Sequence, residues 1–245
     1  MPNPYFRFKQ FTIIQDRCAM KVGTDGVLLG AWTDTTGTQQ ILDIGTGTGL
    51  IALMLAQRCP LGAAFDRSQV QIDAVDINEQ ACIQARENVR RSPWSEQIQV
   101  YHCSIQDYAT TCPKRYDLLV SNPPFFENAY KAQELARTVA RHSDFLRQAD
   151  ILQVASQLLH RDGRLAVIYP PQEAKLFQEK ALSFGFFCNK KLGIKTTLES
   201  QTKRILMELG KSKLQCQETT ITLETAKNVY TSEFIALIKD FYLKY

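Results

Sequence analysis

The chain has 245 residues and a formal net charge of +4, with 44% hydrophobic and 22% charged residues. This composition is typical of a folded protein with one large α/β domain or two small domains, and it argues against a disordered tail. The longest apolar stretches, such as 51–56, are too short to span a bilayer, and residues 1–10 show no secretory signal, so we expect no membrane association.

The cysteines indicate a reducing compartment. There are seven of them, scattered along the chain, and none forms a CxxC pair. No group of Cys and His residues has the spacing of a zinc site, so we expect no metal. Free thiols of this kind fit the cytoplasm, and we expect a cytoplasmic location. The mild positive charge permits a nucleic-acid partner without requiring one.

Short β-like runs alternate with helical segments from about residue 40, which predicts an α/β fold with a mostly parallel sheet covered by helices on both faces. The fourth strand is largely apolar, which indicates a central position in that sheet. In chain order, the predicted elements of this half are a strand at 40–45, a helix from Leu50 to about Cys59, a strand at 72–77, a helix at 79–91 capped by Asn78, and strands at 98–103 and 116–121.

The second half continues the alternation and then becomes rich in strands. The predicted elements are a helix at 143–160 ended by Asp162-Gly163, a strand at 164–169, a helix at 172–183, strands at 187–196, 203–209 and 219–223, and a helix at 232–242. This looks like the end of the same domain rather than a second one. We therefore expect one domain over 36–245, preceded by a lid or lip of residues 1–35 that lies outside the alternation.

A glycine-rich turn joins the first predicted strand to the first helix of that alternation. Gly45, Gly47 and Gly49 can let the backbone approach a ligand closely, and the helix N-terminus supplies free N–H groups. A dinucleotide-binding loop usually places its third glycine or alanine one position later, at Leu50. The spacing therefore favours a compact nucleoside with an amino-acid arm. The alternative is a tight turn without a ligand.

Acidic residues at strand ends complete the predicted nucleoside site. Asp43 can meet an ammonium group directly or through water, and Asp76 is placed to bind both hydroxyls of a ribose. Ile77 belongs to the same predicted site. Asp107 follows the third strand and can accept a hydrogen bond from an adenine amino group, although Ser104–Asp107 can instead cap a short helix.

Asn122-Pro123-Pro124-Phe125 follows the fourth strand, at the end where open parallel sheets bind ligands. The two prolines make a stiff corner whose carbonyls point outward. The Asn122 amide oxygen and the Pro123 carbonyl can accept both hydrogens of an exocyclic amine, which directs its lone pair at a sulfonium methyl, while Phe125 stacks on the target ring. Catalysis of this kind relies on positioning and fixed dipoles. The alternative is a strand-terminating turn with core phenylalanines.

With these motifs, the chain resembles the class I S-adenosylmethionine-dependent methyltransferases, and more closely the bacterial tRNA1(Val) adenine-37 N6-methyltransferase family. The segments that carry the closer resemblance are 6–11, 16–32, 88–94 and 230–242. It implies a Rossmann-like seven-stranded sheet, S-adenosylmethionine as cofactor and a tRNA anticodon loop as substrate. It also implies that Lys21, Thr24 and Asp25 lie over the cofactor, a site that Asn122 shares. We expect a monomer.

The chain departs from the family pattern at two places, and several other functions remain as alternatives. Phe125 stands where many relatives carry Tyr, and the stretch 61–68 is longer than usual. Enzymes with a similar signature methylate ribosomal guanine or a release-factor glutamine. The glutamine enzymes carry a helical domain ahead of the glycine turn, for which this chain has no room. A nicotinamide oxidoreductase or an RNA-binding module without catalysis are further alternatives.

Basic residues can supply phosphate contacts to an RNA whose target base is turned out into the pocket. One candidate pair lies just beyond the NPPF corner, and a second group lies in the late strand region. The alternative for each residue is a solvated face with local acidic partners. The candidates are Arg137 and Arg141, followed by Lys190, Lys191, Lys195, Lys203 and Arg204.

Overall fold

The protein is described by a computed structural model over residues 3–18, 20–59, 70–125 and 146–245. The stretch 61–68, the start of the predicted helix at 143–145, and Arg137 and Arg141 lie outside the described residues. The strands are β1 Tyr5–Arg7, β2 Thr12–Ile14, β3 Gln40–Ile44, β4 Gln71–Asp76, β5 Ile98–His102, β6 Tyr116–Ser121, β7 Leu159–Tyr169, β8 Phe187–Lys195, β9 Thr202–Gly210, β10 Gln217–Thr222, β11 Glu224–Ala226 and β12 Val229–Tyr230.

One eight-stranded sheet forms the centre of the fold, in the order β10-β8-β9-β7-β6-β3-β4-β5. Strand β9 runs antiparallel to both of its neighbours, β7 and β8, and every other neighbouring pair in this sheet is parallel. The expected mostly parallel Rossmann-like sheet is confirmed. It has one strand more than the expected seven, because β10 adds to the edge beside β8.

Helices cover both faces of this sheet, as parallel sheets require. Asn78 caps α3 as predicted, because its side chain accepts a hydrogen bond from the Ala81 N–H at 2.9 Å. No described helix is long and apolar enough to cross a membrane. The helices are α1 Thr24–Trp32, α2 Leu50–Arg58, α3 Glu79–Arg90, α4 Ile105–Thr111, α5 Gln148–Leu158, α6 Pro171–Ser183 and α7 Ser232–Ile238.

Two hydrophobic cores lie on opposite sides of the sheet, because successive side chains of a strand point to opposite faces. Leu118 and Val120 of β6 enter one core, together with α1, α2, α3 and α7. Leu119, between them, enters the other core with α4, α5 and α6. This double burial explains why the central strands read as apolar runs.

The boundary between α5 and β7 differs from the prediction. The helix ends at Leu158 and the strand begins at Leu159, so Asp162-Gly163 lies inside the strand instead of ending the helix. The pairing with β6 shifts register after Tyr116, which accommodates the extra residues. A Cβ on Gly163 would lie 2.9 Å from the Tyr116 carbonyl oxygen, so this glycine permits a close approach of two backbones.

Residues 1–35 contain regular structure that the sequence did not indicate. Strands β1 and β2 form an antiparallel hairpin, and α1 follows it. Ile13 and Leu29 are fully buried in the same core as α2. The stretch 20–25 is not packed into this core in the same way, because it borders the cavities described below. Helix α1 thus attaches this stretch to the core.

Strand β3 lies between β4 and β6, so the chain leaves β3 towards one side of the sheet and returns later on the other. Crevices form at the carboxyl ends of the strands where such a switch occurs. The Asp43–Gly49 turn, Asp76, Ser104 and Asn122 follow or end these neighbouring strands. The fold therefore gathers most of the predicted site at one edge.

Candidate active site

The glycine turn has a backbone conformation that is strained for any residue with a Cβ. Gly45 and Gly47 have φ values of 74° and 57°, in the left-handed region. The N–H of Gly45 donates to the Val75 carbonyl at 2.8 Å, which ties the turn to β4. A Cβ on Gly47 would meet nothing within 4 Å. The turn thus leaves open space at the sheet edge, as a ligand-binding loop should.

Gly49 has a different position from the two glycines before it. It is the N-cap of α2 with φ 82°, and a Cβ there would lie 3.5 Å from Ala85 of α3. Neither cavity described below includes it among the described lining residues. The structure therefore gives Gly49 a role in the turn and in the packing of α2 on α3, and a contact of Gly49 with the cofactor stays a prediction.

Asp43 is a fully buried carboxyl group beneath the turn. The Thr46 hydroxyl donates to Asp43 Oδ2 at 2.7 Å, and the Ala52 N–H donates to the same oxygen at 3.2 Å. Within the described part of the chain, the other oxygen, Oδ1, is buried without a hydrogen-bond partner. Burial raises the pKa of Asp43 to about 7, against the two hydrogen bonds, which lower it. An unmatched buried acceptor of this kind is suited to a cationic ligand.

Asp76 joins the glycine turn to the end of β4. Its Oδ2 accepts a hydrogen bond from the Gly47 N–H at 2.8 Å, and its Oδ1 accepts one from the Asn78 N–H at 2.8 Å. Each carboxylate oxygen has a further lone pair for a ligand hydroxyl. Ile77 beside it is 44% exposed, a high value for a large apolar side chain that also lines a cavity.

Asp107 is bonded to the N-cap of α4, which is the alternative to adenine recognition. The Ser104 side chain caps α4 by accepting from the Asp107 N–H at 3.0 Å, and its hydroxyl donates to Asp107 Oδ2 at 2.7 Å. Among the described residues, Ser104, Ile105 and Gln106 line the adjacent cavity, whereas Asp107 does not. A contact between Asp107 and an adenine stays a prediction.

Two cavities meet at this edge of the sheet. The first, of about 260 Å³, lies over the ends of β4 and β5 and is lined by Asp76, Ile77 and Ser104, among others. The second, of about 760 Å³, lies between the 20–26 stretch and the start of β9. The residues that line both are Met20, Gly45, Gly47, Asn122 and Pro124.

The Asn122-Pro123-Pro124-Phe125 corner lies at this junction. Asn122 lines both cavities, whereas Phe125 lines only the second among the described residues. Pro123 is buried and Pro124 is exposed, so the corner is anchored on one side and open on the other. A group bound in the first cavity and a ring stacked on Phe125 would therefore meet beside Asn122. Lys21 and Thr24, predicted to cover the cofactor, line the second cavity.

Asp25, Arg204 and Phe125 form a cluster that sequence analysis missed. Arg204 Nε donates to Asp25 Oδ2 at 2.8 Å, and the Arg204 Cζ lies 4.7 Å from the centroid of the Phe125 ring. The sequence predicts a cofactor contact for Asp25 and an RNA contact for Arg204. The two residues are 179 positions apart, and no local pattern in the sequence indicates that they touch.

The structure divides the other basic candidates into two groups. Lys195 pairs in register with Thr202 at the start of β9, and Lys203 lines the second cavity. Lys190 and Lys191 lie near the middle of β8, where Lys190 Nζ is 5.2 Å from the Trp32 ring centroid and Lys191 forms a 3.6 Å ion pair with Glu218, and neither is among the described residues that line the cavities. They are therefore not brought to the cavities.

Some lining residues had no strong signal in the sequence. Met20 is 64% exposed and lines both cavities, and Ile105 and Gln106 begin the short helix α4. A position directly after a strand of the parallel sheet is the signal that could have identified the latter two. Across the described ranges, no group of three His, Cys, Asp or Glu residues is arranged to hold a metal ion.

Comparison with known proteins gives consistent relatives. The model of the methyltransferase small domain family matches residues 20–186. A protein of Trichodesmium erythraeum (strain IMS101), named tRNA1(Val) (adenine(37)-N6)-methyltransferase, is 62% identical over 245 residues, which cover 100% of both chains. A protein with the same name from Parabacteroides distasonis is 43% identical over 245 residues, again with 100% of both chains covered.

A solved structure shares the fold. The crystal structure of a predicted O-methyltransferase from Agrobacterium tumefaciens matches with a TM-score of 0.63 and covers 89% of this chain and 96% of that chain. The sequence identity is 16%, so this likeness concerns the fold alone. Sequence and fold comparisons thus agree on a methyltransferase-like α/β domain.

Proposed function

Because the chain belongs to the methyltransferase small domain family and to the family of the tRNA1(Val) (adenine(37)-N6)-methyltransferases, we propose that it methylates N6 of adenine 37 in tRNA1(Val) with S-adenosylmethionine. The observation that carries this proposal is the position of Asn122 in the wall of both cavities. One cavity would hold the cofactor and the other the target base.

The residues of the first cavity fit S-adenosylmethionine. Asp43 is not among the described lining residues, but its unpartnered Oδ1 lies buried beneath the Gly45–Gly47 turn that lines this cavity, and it suits the ammonium of the amino-acid arm, directly or through water. The Asp76 carboxylate suits the two ribose hydroxyls, and the exposed apolar side chain of Ile77 suits one face of the adenine. The open space at Gly47 leaves room for the ligand at the turn. When bound, the cofactor supplies an electrophilic methyl group on a sulfonium.

The NPPF corner would orient the acceptor nitrogen. The amide oxygen of Asn122 and the carbonyl of Pro123 accept the two hydrogens of the exocyclic amine, whose lone pair is otherwise delocalised into the ring. The nitrogen then approaches sp³ geometry and its lone pair points towards the first cavity. Phe125, in the second cavity, stacks on the target adenine. This supplies positioning and fixed dipoles, and it needs no strong base.

The tRNA would reach this site with the target base turned out of its loop, which is easier in an anticodon loop than in a duplex. Lys203 lines the second cavity, and Lys195 lies between Ile194 and Thr196, which line it, so we assign the phosphate contacts first to these two lysines. We propose that the protein is cytoplasmic and monomeric. We also propose that residues 1–35 precede one domain over 36–245, and that the stretch around 20–25 acts as the lid.

The test is methylation of tRNA1(Val) transcripts with labelled cofactor, followed by digestion to nucleosides. Label is expected in N6-methyladenosine with adenine at position 37, and no label is expected when guanine replaces it. Label in methylguanosine would identify a guanine amino group as the acceptor. Label in a protein that survives ribonuclease treatment would identify a glutamine amide. Either result would contradict the assignment of adenine as the substrate.

The catalytic assignment is tested by Asn122→Ala. Loss of a fixed hydrogen-bond acceptor at the reacting nitrogen should lower kcat by about a hundredfold or more, while cofactor affinity by calorimetry stays within a few-fold. The matched control is Asn189→Ala, near the amino end of β8, where the side chain bonds the Ser212 carbonyl at 3.0 Å. Equal kcat for Asn122→Ala and wild type would contradict the assignment.

A further inference from the structure

We propose that Arg204 is a positioning residue for methyl transfer, which orients the Phe125 ring and is itself held by Asp25. The inference rests on the proposed function, because it concerns the platform on which the target base would stack. It replaces the prediction that Asp25 binds the cofactor and that Arg204 binds RNA phosphate. The three residues come from α1, the corner after β6, and β9.

The guanidinium of Arg204 contacts the Phe125 ring and is itself held by hydrogen bonds. Its Cζ lies 4.7 Å from the Phe125 ring centroid, within the range of a cation–π contact. Its Nε donates to Asp25 Oδ2 at 2.8 Å and its Nη1 donates to the Lys203 carbonyl at 2.8 Å. Hydrogen bonds from two different nitrogens restrain the orientation of the planar group. The ring contact is therefore made by a group that is already oriented.

Phe125 has no group of its own that fixes the orientation of its ring. The two preceding prolines restrict the backbone, but they leave the rotation of the Phe125 side chain free. A phenyl ring has no hydroxyl through which a hydrogen bond could orient it. Its orientation must therefore come from contacts with its faces and edge. Arg204 supplies such a contact within the second cavity, which both residues line.

Arg204 is better placed to orient the Phe125 ring than to contact an RNA phosphate. Its side chain is 21% exposed and that of Asp25 is 24% exposed, so the pair is largely shielded. The carboxylate offsets the positive charge and so weakens attraction to a phosphate. Lys203, the preceding residue in the same strand, is exposed and presents a charge to solvent. The two neighbours thus have different roles.

The main test is Arg204→Lys, which keeps the charge and removes the planar group and its Nε. A loosened platform should lower kcat about tenfold, since small misplacements of reacting groups are costly, while the KM for tRNA stays within about twofold. Asp25→Asn should shift kcat in the same direction. Arg161→Lys is the control: it is the same change at an exposed residue near the amino end of β7.

The dependence on Phe125 distinguishes this role from RNA binding. In a Phe125→Leu background, measured in single turnover with excess enzyme, Arg204→Lys should have no further effect on the rate. The urea midpoints of the two single variants and the double variant should also be non-additive, and this measurement needs no activity. Cofactor affinity should be unchanged in all Arg204 variants.

Three results would overturn the proposal. The first is a raised KM for tRNA with a reduced salt dependence, undiminished in Phe125→Leu, which would make Arg204 a phosphate contact. The second is an unchanged kcat for Arg204→Lys. The third is strict additivity of the urea midpoints. Absence of N6-methyladenosine with the wild-type protein is a separate outcome, because it would refute the proposed function and leave the urea result standing.

Discussion

Asp43→Asn should stabilise the cofactor-free protein, and more so at high pH. The wild-type carboxyl is fully buried, and its pKa is raised by burial from 3.8 to about 7. In the unfolded chain the group ionises near its ordinary value, so folding must take up a proton or bury a charge at any pH above it. Wild-type stability therefore falls as the pH rises from about 4 to about 7 and then levels off.

The magnitude follows from that difference in pKa. Each pKa unit corresponds to about 1.4 kcal/mol, so the raised pKa of Asp43 reduces the free energy of unfolding by roughly 4 kcal/mol at about pH 8, where the buried carboxyl is ionised, and by roughly 2 kcal/mol at about pH 5, where folding takes up a proton. Asparagine does not ionise, and its oxygen can accept the bonds from Thr46 and Ala52 that Asp43 Oδ2 accepts. The advantage of the variant should thus grow by roughly 2 kcal/mol over this range.

Urea unfolding of both proteins at the two pH values measures this directly. Asp162→Asn, at an exposed position, is the matched control and should show no comparable pH-dependent gain. An advantage of Asp43→Asn that is the same at both pH values, or that shrinks with rising pH, would refute the account of this carboxyl as a buried group without a counter-charge.

Further predictions concern the same site and its supports. Cofactor affinity of the wild type should rise several-fold between about pH 6 and about pH 7.5, as Asp43 ionises, and calorimetry on Asp43→Asn should show a flatter profile. Gly47→Ala, at φ 57°, should lower stability by about 1 kcal/mol through backbone strain; its Cβ would point into the ligand space, so calorimetry should show a larger loss of cofactor affinity. Tyr116→Phe should lower the free energy of unfolding by about 1–3 kcal/mol in urea, because the buried Tyr116 hydroxyl donates to Asp73 at 2.6 Å. An unchanged stability in either variant would contradict these assignments.

The elements that depend on local pattern were predictable from the sequence. Asn78 and the helix it caps lie within a few residues of each other, and the glycine turn follows its strand directly. The common edge of Asp76 and Asn122 also followed, because parallel strands with helical crossovers bring their carboxyl ends together. These features need only the order of elements along the chain.

The rest depended on contacts between distant segments. The start of β7 at Leu159 is set by pairing with Tyr116, and this overrides the turn signal of Asp162-Gly163. The Asp25–Arg204 pair joins helix α1 to strand β9, and no spacing rule reaches across 179 positions. The late lysines looked like one group in the sequence, but extended backbone separates them along the strands.

The Asp25–Arg204–Phe125 cluster also has a consequence for the order in which the site is assembled during synthesis. Most residues that line the first cavity precede Phe125, whereas the substrate side needs Arg204 from β9. During synthesis from the N-terminus, β9 leaves the ribosome after every described residue that lines the first cavity, so the platform is completed last. A nascent chain that has not yet emerged to β9 would therefore have no oriented surface for a base.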